Sequence, residues 1–168
     1  KDPQSTTNVM NDLRASFDRL RSAQLKHIPD QRERLYSLKR LGEAVHHHKD
    51  AVVAAINEDF GRRSPVETMV ADIMVTLDEI KHAEKNLRRW MKPKSKPISL
   101  TFKPASGEIR FLPLGVVGIV APWNYPFQLA VIPLVNAIAA GNRVMIKPSE
   151  FTPRLSALMA KMLSEVFS

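Results

Sequence analysis

The feature of the sequence that most constrains its fold is the unbroken apolar run of residues 115–120, Gly-Val-Val-Gly-Ile-Val. Such a run is typical of a strand that is buried on both faces. An apolar helix is predicted next at residues 127–140, then a second short strand at residues 143–146, and then an amphipathic helix capped by Thr152-Pro153. Strands and helices that alternate in this order form parallel pairs joined by right-handed crossovers. We therefore predict an α/β fold that contains the first βαβα of a Rossmann-like parallel sheet.

The part of the chain before this pattern predicts helices, because apolar residues recur there at helical spacing. Pro29 is expected to open one of these helices and Gly61 to end it in the left-handed conformation. Ser64-Pro65-Val66-Glu67 is a helix start signal in which Ser64 would cap and Glu67 would reach back to the cap. An apolar stripe from Val66 to Trp90 follows and predicts a buried helix face of roughly 25 residues.

A lysine- and proline-rich segment separates the two parts. Residues 92–97 contain three lysines and two prolines, which predicts an exposed linker. After it, Ile98, Leu100 and Phe102 alternate with polar residues and predict a strand. With a turn at Ser106-Gly107, they would pair with a second strand over residues 108–112.

Three parts follow from this division. Residues 1–97 are expected to form the helical part of one domain, residues 98–112 a β-hairpin, and residues 113–168 the first half of a parallel sheet. Two parallel strands leave edges and faces uncovered. We therefore expect that the sequence is a fragment of a larger fold.

Composition narrows the class of protein. The chain has 168 residues, 44% of them hydrophobic, which favours a globular fold, and its formal charge of +8 arises from 25 Lys/Arg against 17 Asp/Glu. These charges are interleaved on amphipathic helices, so solvated faces are favoured over the alternative of a nucleic-acid-binding surface. No apolar run is long enough for a membrane span, and a cytoplasmic location is expected.

Metal and thiol chemistry are not expected from this sequence. The chain has no cysteine, which excludes disulfides, thiolate metal sites and a cysteine nucleophile within it. His46-His47-His48 resembles a metal site, but adjacent helical residues point about 100° apart and do not converge on one ion. A solvated helix end is the preferred interpretation.

Polar residues are rare in the predicted sheet, yet three of them follow its strands: Asn124, Lys147 and Glu150. Ligands bind at the carboxyl ends of strands in open parallel sheets. Asn124 can stabilise an oxyanion or brace its own turn. Lys147 and Glu150 can together bind a sugar diol or form a local ion pair of little energetic value. The usual dinucleotide fingerprint is missing, because Gly115 and Gly118 lie inside the strand and not in a loop after it.

Residues 113–127 and 140–150 resemble the aldehyde dehydrogenase superfamily. Residues 59–68 and 82–93 look most like the bacterial coniferyl aldehyde dehydrogenases, which are related to the short, dimeric fatty-aldehyde branch. The resemblance covers nearly the whole chain. It also accounts for the missing fingerprint, because the family binds its dinucleotide without the usual glycine-rich loop.

The resemblance implies roles for individual residues. Asn124 would donate to the oxyanion of a thiohemiacetal, and Lys147 and Glu150 would hold the adenosine ribose hydroxyls. The hairpin of residues 98–112 would belong to the oligomerisation region. Further cofactor-binding positions are implied at Ala121, Pro122, Trp123, Pro148 and Ser149, and substrate-lining positions at Tyr125 and Phe127.

The implied activity is oxidation of an aldehyde, of coniferaldehyde type, to the carboxylic acid by a homodimer. NAD is the expected cofactor and NADP would be tolerated, because a carboxylate at Glu150 repels a 2′-phosphate while Lys147 attracts it. The family's catalytic cysteine, its general-base glutamate and its catalytic domain would lie beyond Ser168, so this segment alone is expected to be inactive. Two alternatives stay open: a medium- or long-chain fatty aldehyde as substrate, and a short non-catalytic product that pairs with full-length subunits.

Overall fold

The computed structural model describes residues 3–167, with the side chains of residues 7–167. Its first half is helical: α1 (Pro3–Lys26), α2 (Gln31–Phe60), α3 (Pro65–Thr68), a π-helical turn (Met69–Met74) and α4 (Val75–Trp90). Its second half contains β1 (Lys94–Lys96), a 3-10 turn (Leu100–Phe102), β2 (Gly107–Ile109), β3 (Val116–Val120), α5 (Gln128–Ala139), β4 (Arg143–Lys147) and α6 (Pro153–Val166).

The predicted βαβα unit is confirmed. Strand β3 pairs in parallel with β4, in a register that runs from Val116 opposite Arg143 to Val120 opposite Lys147. Helix α5 connects the two strands, and Gly141, in the left-handed region at φ 84°, allows the chain to leave that helix for β4. The described chain therefore has the α/β fold class expected from its sequence.

One hydrophobic core joins the helical half to this unit. It is formed where α2 packs against α4, α5 and α6. Its largest fully buried side chains are Phe127, Leu38, Leu41, Ile56, Ile73, Ile80, Leu87, Leu155, Met159 and Met162. The strands are less enclosed than expected, since only Ile119 of β3 is buried and Val120 is 77% exposed. The expectation of strands buried on both faces is wrong for the described residues, in which β3 and β4 form a two-stranded sheet.

The antiparallel pair lies earlier in the chain than predicted. Strand β1 pairs Lys94 with Ile109 and Lys96 with Gly107, so the linker lysines form the strand and residues 98–102 do not. The strand ends just before Pro97, which has no N–H to donate to a ladder. Gly107 begins β2 instead of forming the turn, and a Cβ there would lie 2.7 Å from the Ile98 side chain.

Two helix starts use other residues than the local signals predict. Asp30, not Pro29, caps α2, and it forms a capping box with Glu33. Ser64 makes no capping hydrogen bond to α3, although Pro65 occupies the first helical position as predicted. The side chain of Glu67 faces Arg63 at 3.4 Å instead of reaching back to the cap.

The apolar stripe is also interrupted. Val66 and Val70 are exposed, whereas Asp72 and Thr76 are fully buried. The π-helical turn at residues 69–74 changes the angular spacing of side chains, so the face extrapolated from α-helical periodicity is not the buried face there.

The end of α5 is stabilised by side chains from the helical half. Arg34 donates to the carbonyl oxygen of Ala139 at 3.1 Å and to that of Pro29 at 2.8 Å, and Gln24 donates to the carbonyl oxygen of Gly141 at 2.9 Å. The bonds to Ala139 and Gly141 satisfy carbonyls at the end of α5, where a helix leaves them without partners, and the bond to Pro29 ties Arg34 to the chain before α2. A Cβ on Gly141 would overlap the Arg34 guanidinium, so a substitution there would strain the left-handed backbone and displace Arg34 from these bonds.

The start of α6 is capped from a distance. Thr152 makes no capping hydrogen bond, but the Asp59 carboxylate accepts from the backbone N–H groups of Arg154 at 3.1 Å and Leu155 at 3.0 Å. A carboxylate at a helix N-terminus both satisfies free N–H groups and interacts favourably with the helix dipole. Asp59 thus does for α6 what Thr152 was predicted to do.

We expect Asp59→Ala to lower the free energy of unfolding by about 1 kcal/mol, within the range of roughly 0.5–2 kcal/mol found for lost helix caps. The measurement is urea unfolding followed by circular dichroism. The matched control is Glu58→Ala, because Glu58 makes only an exposed ion pair with Arg154 at 2.8 Å. The control should shift the free energy by less than about 0.5 kcal/mol. Equal losses in the two variants would contradict the capping role.

Candidate functional site

The ends of β3 and β4 form two corners that lie side by side. We call residues 121–127 the first corner and residues 147–152 the second corner. Val120 and Lys147 are paired in the sheet, and the backbone N–H of Ala121 donates to the carbonyl oxygen of Lys147 at 3.0 Å. The predicted residues Asn124, Lys147 and Glu150 are all exposed. The chain thus brings three polar side chains to one edge of the sheet, at the carboxyl ends of parallel strands.

The second corner presents a donor and an acceptor together. Lys147 Nζ lies 2.6 Å from Glu150 Oε2, and the two side chains are 61% and 69% exposed. The hydrogen bond from Lys147 lowers the pKa of the Glu150 carboxyl below its ordinary value, so the group is ionised at neutral pH. An ion pair this exposed contributes little to stability, and both groups stay open to solvent.

Pro148 and Ser149 fix the conformation of the second corner and contribute little to its exposed surface. Ser149 is buried, and its Oγ accepts from the backbone N–H of Phe151 at 3.2 Å. Its carbonyl oxygen accepts from the hydroxyl of Thr152 at 3.3 Å. Pro148 is half-buried. These contacts fix the turn that carries Glu150.

The first corner presents a different set of side chains. Trp123 is 54% exposed and Pro122 is exposed, while Ala121 is buried in the hydrophobic core. Tyr125 is half-buried, whereas Phe127 is fully buried in the core and does not reach the open face. The placement of Phe127 departs from the expectation that it lines a substrate tunnel, because its side chain packs among the core residues of the helical half.

The amide of Asn124 is not used by its own turn. Among residues 3–167, no hydrogen bond involves its side chain, and the residue's one polar contact is made by its backbone carbonyl oxygen. Of the two interpretations left open by the sequence, bracing of the local turn is therefore not what the side chain does here. Its two N–H donors remain available at the surface.

Two buried charged residues hold the first corner in place. Arg63, 8% exposed, donates from Nη1 to the carbonyl oxygen of Asn124 at 2.6 Å. Its guanidinium lies between the rings of Phe60, 5.0 Å from the centroid, and Tyr125, 4.6 Å from the centroid. The other end of the corner is held by Asp72, whose Oδ1 accepts from the backbone N–H groups of Phe127 at 3.2 Å and Gln128 at 3.0 Å.

Arg63 and Asp72 also face each other. Nη2 of Arg63 lies 3.3 Å from Oδ2 of Asp72, an ionic contact without the alignment of a hydrogen bond. Burial raises the pKa of the Asp72 carboxyl, while the N–H of Gln128, the charge of Arg63 and the N–H of Phe127 oppose that rise. The Oδ1 atom of Asp72 provides an acceptor at the start of α5, which has no acidic residue in its first turn.

An aromatic cleft of about 500 Å³ connects the corners to the helical half. It is lined by Asp59, Phe60, Trp123, Phe151 and Thr152. The rings of Phe60 and Trp123 lie 6.2 Å apart. This cleft adjoins both corners, whereas a cavity of about 650 Å³ beside Trp90 and Phe111 lies away from them.

The part of the chain that the structure describes contains neither a cluster of metal ligands nor a membrane-spanning helix. No group of three or more histidines and carboxylates there is placed to hold a metal ion. His48 instead contacts Glu165 of α6 at 2.9 Å. Within residues 3–167, no helix combines the length and apolarity that a membrane crossing requires.

Sequence reasoning missed Arg63 and Asp72, which act on the first corner from distant positions in the chain. One signal was available: a carboxylate within a strongly apolar segment, residues 69–77, is expected to be exposed or paired. Nothing in the sequence identified its partner.

Polar side chains after two paired parallel strands stand where open α/β sheets bind ligands. Comparison with known proteins gives the family: the aldehyde dehydrogenase family model matches residues 12–167. The chain belongs to the aldehyde dehydrogenase family.

Individual relatives agree with this assignment. The chain is 43% identical over 165 residues to a probable coniferyl aldehyde dehydrogenase of Pseudomonas aeruginosa, covering 98% of the chain and 35% of that protein. It is 38% identical over 156 residues to the coniferyl aldehyde dehydrogenase of Pseudomonas sp. strain HR199, covering 92% of the chain and 32% of that protein. The substrate-bound structure of Staphylococcus aureus AldH matches with a TM-score of 0.85 at 35% identity, over 90% of the chain and 33% of that structure. The chain thus spans about a third of the length of these relatives.

Proposed function

We propose that this chain supplies the oxyanion donor and part of the cofactor site of an enzyme that oxidises aldehydes to carboxylic acids with NAD(P). The observation that carries the proposal is the pairing of the two corners. An uncommitted amide at Asn124 follows β3, and an exposed donor–acceptor pair at Lys147 and Glu150 follows its parallel partner β4, in a chain of the aldehyde dehydrogenase family.

The residues present fit a dinucleotide. A ribose diol offers hydroxyl groups that both donate and accept, and Glu150 Oε2 and Lys147 Nζ provide an acceptor and a donor 2.6 Å apart on the surface. Ala121, Pro122, Trp123, Pro148 and Ser149 would form the backbone and side-chain walls around them. Bound NAD(P) would supply the hydride acceptor for the oxidation.

Asn124 would act on the aldehyde oxygen. A cysteine thiolate, which this chain does not contain, would add to the carbonyl carbon and move the C=O electron pair onto oxygen. The Asn124 side-chain N–H would donate to the resulting oxyanion. Loss of the aldehyde hydrogen as hydride leaves a thioester, which water converts to the acid and the free thiol.

The substrate class proposed is an aromatic aldehyde of the coniferaldehyde type. It rests on the relatives at 43% and 38% identity that carry this name. Tyr125, half-buried beside Arg63, is the residue of this chain proposed to contact the substrate. A medium- or long-chain fatty aldehyde is the competing substrate class.

The test of the function is an assay of the whole protein for aldehyde-dependent NADH formation, with coniferaldehyde and decanal as substrates and detection of the acid product. Oxidation of coniferaldehyde with the higher kcat/KM supports the proposal. Preference for decanal would reassign the substrate and retain the reaction class. No acid from either aldehyde would refute the proposed reaction.

The cofactor prediction concerns Glu150. We expect the whole protein to have a higher kcat/KM with NAD than with NADP, because the Glu150 carboxylate repels a 2′-phosphate. Glu150→Gln keeps the acceptor but removes the charge, so the ratio of NAD to NADP activity should fall by about tenfold, equivalent to roughly 1.4 kcal/mol. Glu58→Gln is the control and should leave the ratio unchanged. A clear NADP preference in the unmodified protein would contradict this role of Glu150.

We also propose that residues 98–112 contribute to a homodimer interface. Leu100, Phe102, Phe111 and Leu112 are large apolar side chains exposed within or beside this segment. Large apolar side chains left exposed within one short segment favour a protein interface there.

A further inference from the structure

We propose that Arg63 is a positioning residue for the Asn124 amide, holding the first corner so that the side-chain donor points at the reacting oxygen. This inference rests on the proposed function, since it concerns the geometry of the same oxyanion donor. The bond that carries it runs from Arg63 Nη1 to the carbonyl oxygen of Asn124, at 2.6 Å.

Arg63 bonds the residue that carries the proposed oxyanion donor, Asn124. Arg63 lies 61 residues before Asn124 in the chain and bonds the backbone of that residue itself. The Asn124 side chain extends from the same residue, so fixing its carbonyl fixes the peptide plane beside its Cα. The direction in which the side chain leaves the backbone is then set without a hydrogen bond to the amide that substrate binding would have to break.

The guanidinium is itself immobilised. It is enclosed by the rings of Phe60 and Tyr125 and by the carboxylates of Asp72 and, at 3.4 Å, Glu67. A planar group with fixed donor directions holds an acceptor in one place better than a flexible ammonium does. The stacking on Tyr125 also fixes the residue that follows Asn124.

Asp72 completes the arrangement from the other end of the corner. It accepts from Phe127 and Gln128, so the corner is tied at its middle by Arg63 and at its end by Asp72. The two ties come from a loop and a π-helical turn of the helical half. The helical half therefore acts on the site through this pair, and Arg63 contacts neither substrate nor cofactor in the proposal.

The test is a kinetic double-mutant cycle in the whole protein with Arg63→Met, Asn124→Ala and both together. We expect Arg63→Met to lower kcat by about 10- to 100-fold, as for small misplacements of a reacting group, with the KM for NAD unchanged within about twofold. In the Asn124→Ala background, the same Arg63 change should lower kcat by less than about twofold, because the donor that Arg63 orients is already gone.

Controls separate positioning from damage to the fold. Arg62→Met makes the same change at the neighbouring exposed arginine and should leave kcat unchanged. Arg63→Lys retains a buried cation beside Asp72 but loses the fixed fork; it should fold and still lower kcat. If Arg63→Met does not fold, the cycle is run with Arg63→Lys.

The outcomes distinguish the two proposals. No aldehyde oxidation by the unmodified protein defeats the proposed function. If oxidation depends on Asn124 but Arg63→Met lowers kcat equally with and without Asn124, the positioning role is wrong. The proposed function is then retained. If Arg63→Met lowers kcat only in the protein that retains Asn124, both the proposed function and the positioning role are supported.

Discussion

Replacing Asn124 with alanine is expected to lower kcat for aldehyde oxidation by about 100- to 1000-fold, the loss typical for removal of one oxyanion donor. The amide is exposed, and within residues 3–167 its side chain makes no hydrogen bond, so the substitution removes no hydrogen bond that stabilises the corner. The free energy of unfolding should therefore change by less than about 0.5 kcal/mol.

Steady-state kinetics and urea unfolding of the same preparation test this prediction together. The matched control is Asn136→Ala, an exposed asparagine on α5 whose Nδ2 donates to the carbonyl oxygen of Ile132 at 3.2 Å. That variant should retain its kcat. An Asn124→Ala variant with unchanged kcat, or one that loses activity only because it unfolds, would remove Asn124 from the reaction.

The arrangement of the sheet could be predicted because the signals for it are local. The apolar run at β3, the apolar helix α5 and the short strand β4 each follow from composition over a few residues. Parallel pairing then follows from the order of these elements, and it places the corners that carry Asn124 and Lys147 at the same end of the sheet. The positions of these two residues were therefore within reach of the sequence.

The carboxylates that hold the corners could not be predicted from the sequence, because they bind groups that are distant along the chain. Asp72 binds amides 55 and 56 residues further along the chain, and Asp59 binds amides 95 and 96 residues further along. Local signals gave the opposite expectation: Thr152 follows the capping pattern and does not cap. A cap depends on where an N–H group points after packing, which no spacing rule along the chain contains.

The predicted position of the first hairpin strand was wrong for a related reason. Alternation of apolar and polar residues at 98–102 is typical of a strand with one solvent-exposed face. The pattern does not determine whether these residues pair with another strand. The partner strand, residues 107–109, pairs with the lysines before Pro97, and the alternating residues turn into a 3-10 segment instead. Strand register depends on the pairing partner as much as on the strand's own pattern.

Replacing Asp72 with alanine is expected to lower the free energy of unfolding by about 3–5 kcal/mol, the cost of removing one partner from a buried ion pair. The side chain is fully buried, and its loss leaves the Phe127 and Gln128 amides without an acceptor and Arg63 without its closest buried counter-charge. Asp72→Asn should cost less, because an amide oxygen can still accept from the two N–H groups. Asp78→Ala, an exposed aspartate on the following α4 helix, is the control and should cost less than about 0.5 kcal/mol.

The source of that loss can be separated by urea unfolding of Asp72→Ala, Arg63→Met and the double variant. If most of the cost is an unpaired buried charge, the double variant should be less destabilised than the sum of the single variants, by about 0.5–3 kcal/mol. If the cost lies in the uncapped start of α5, the Asp72 loss should be the same with and without Arg63. The first result would mean that the two charges are retained as a pair, and that neither can change alone without loosening the corner that carries Asn124. Additive losses would instead separate the cap at α5 from the hold of Arg63 on the Asn124 carbonyl, so that each could be altered independently of the other.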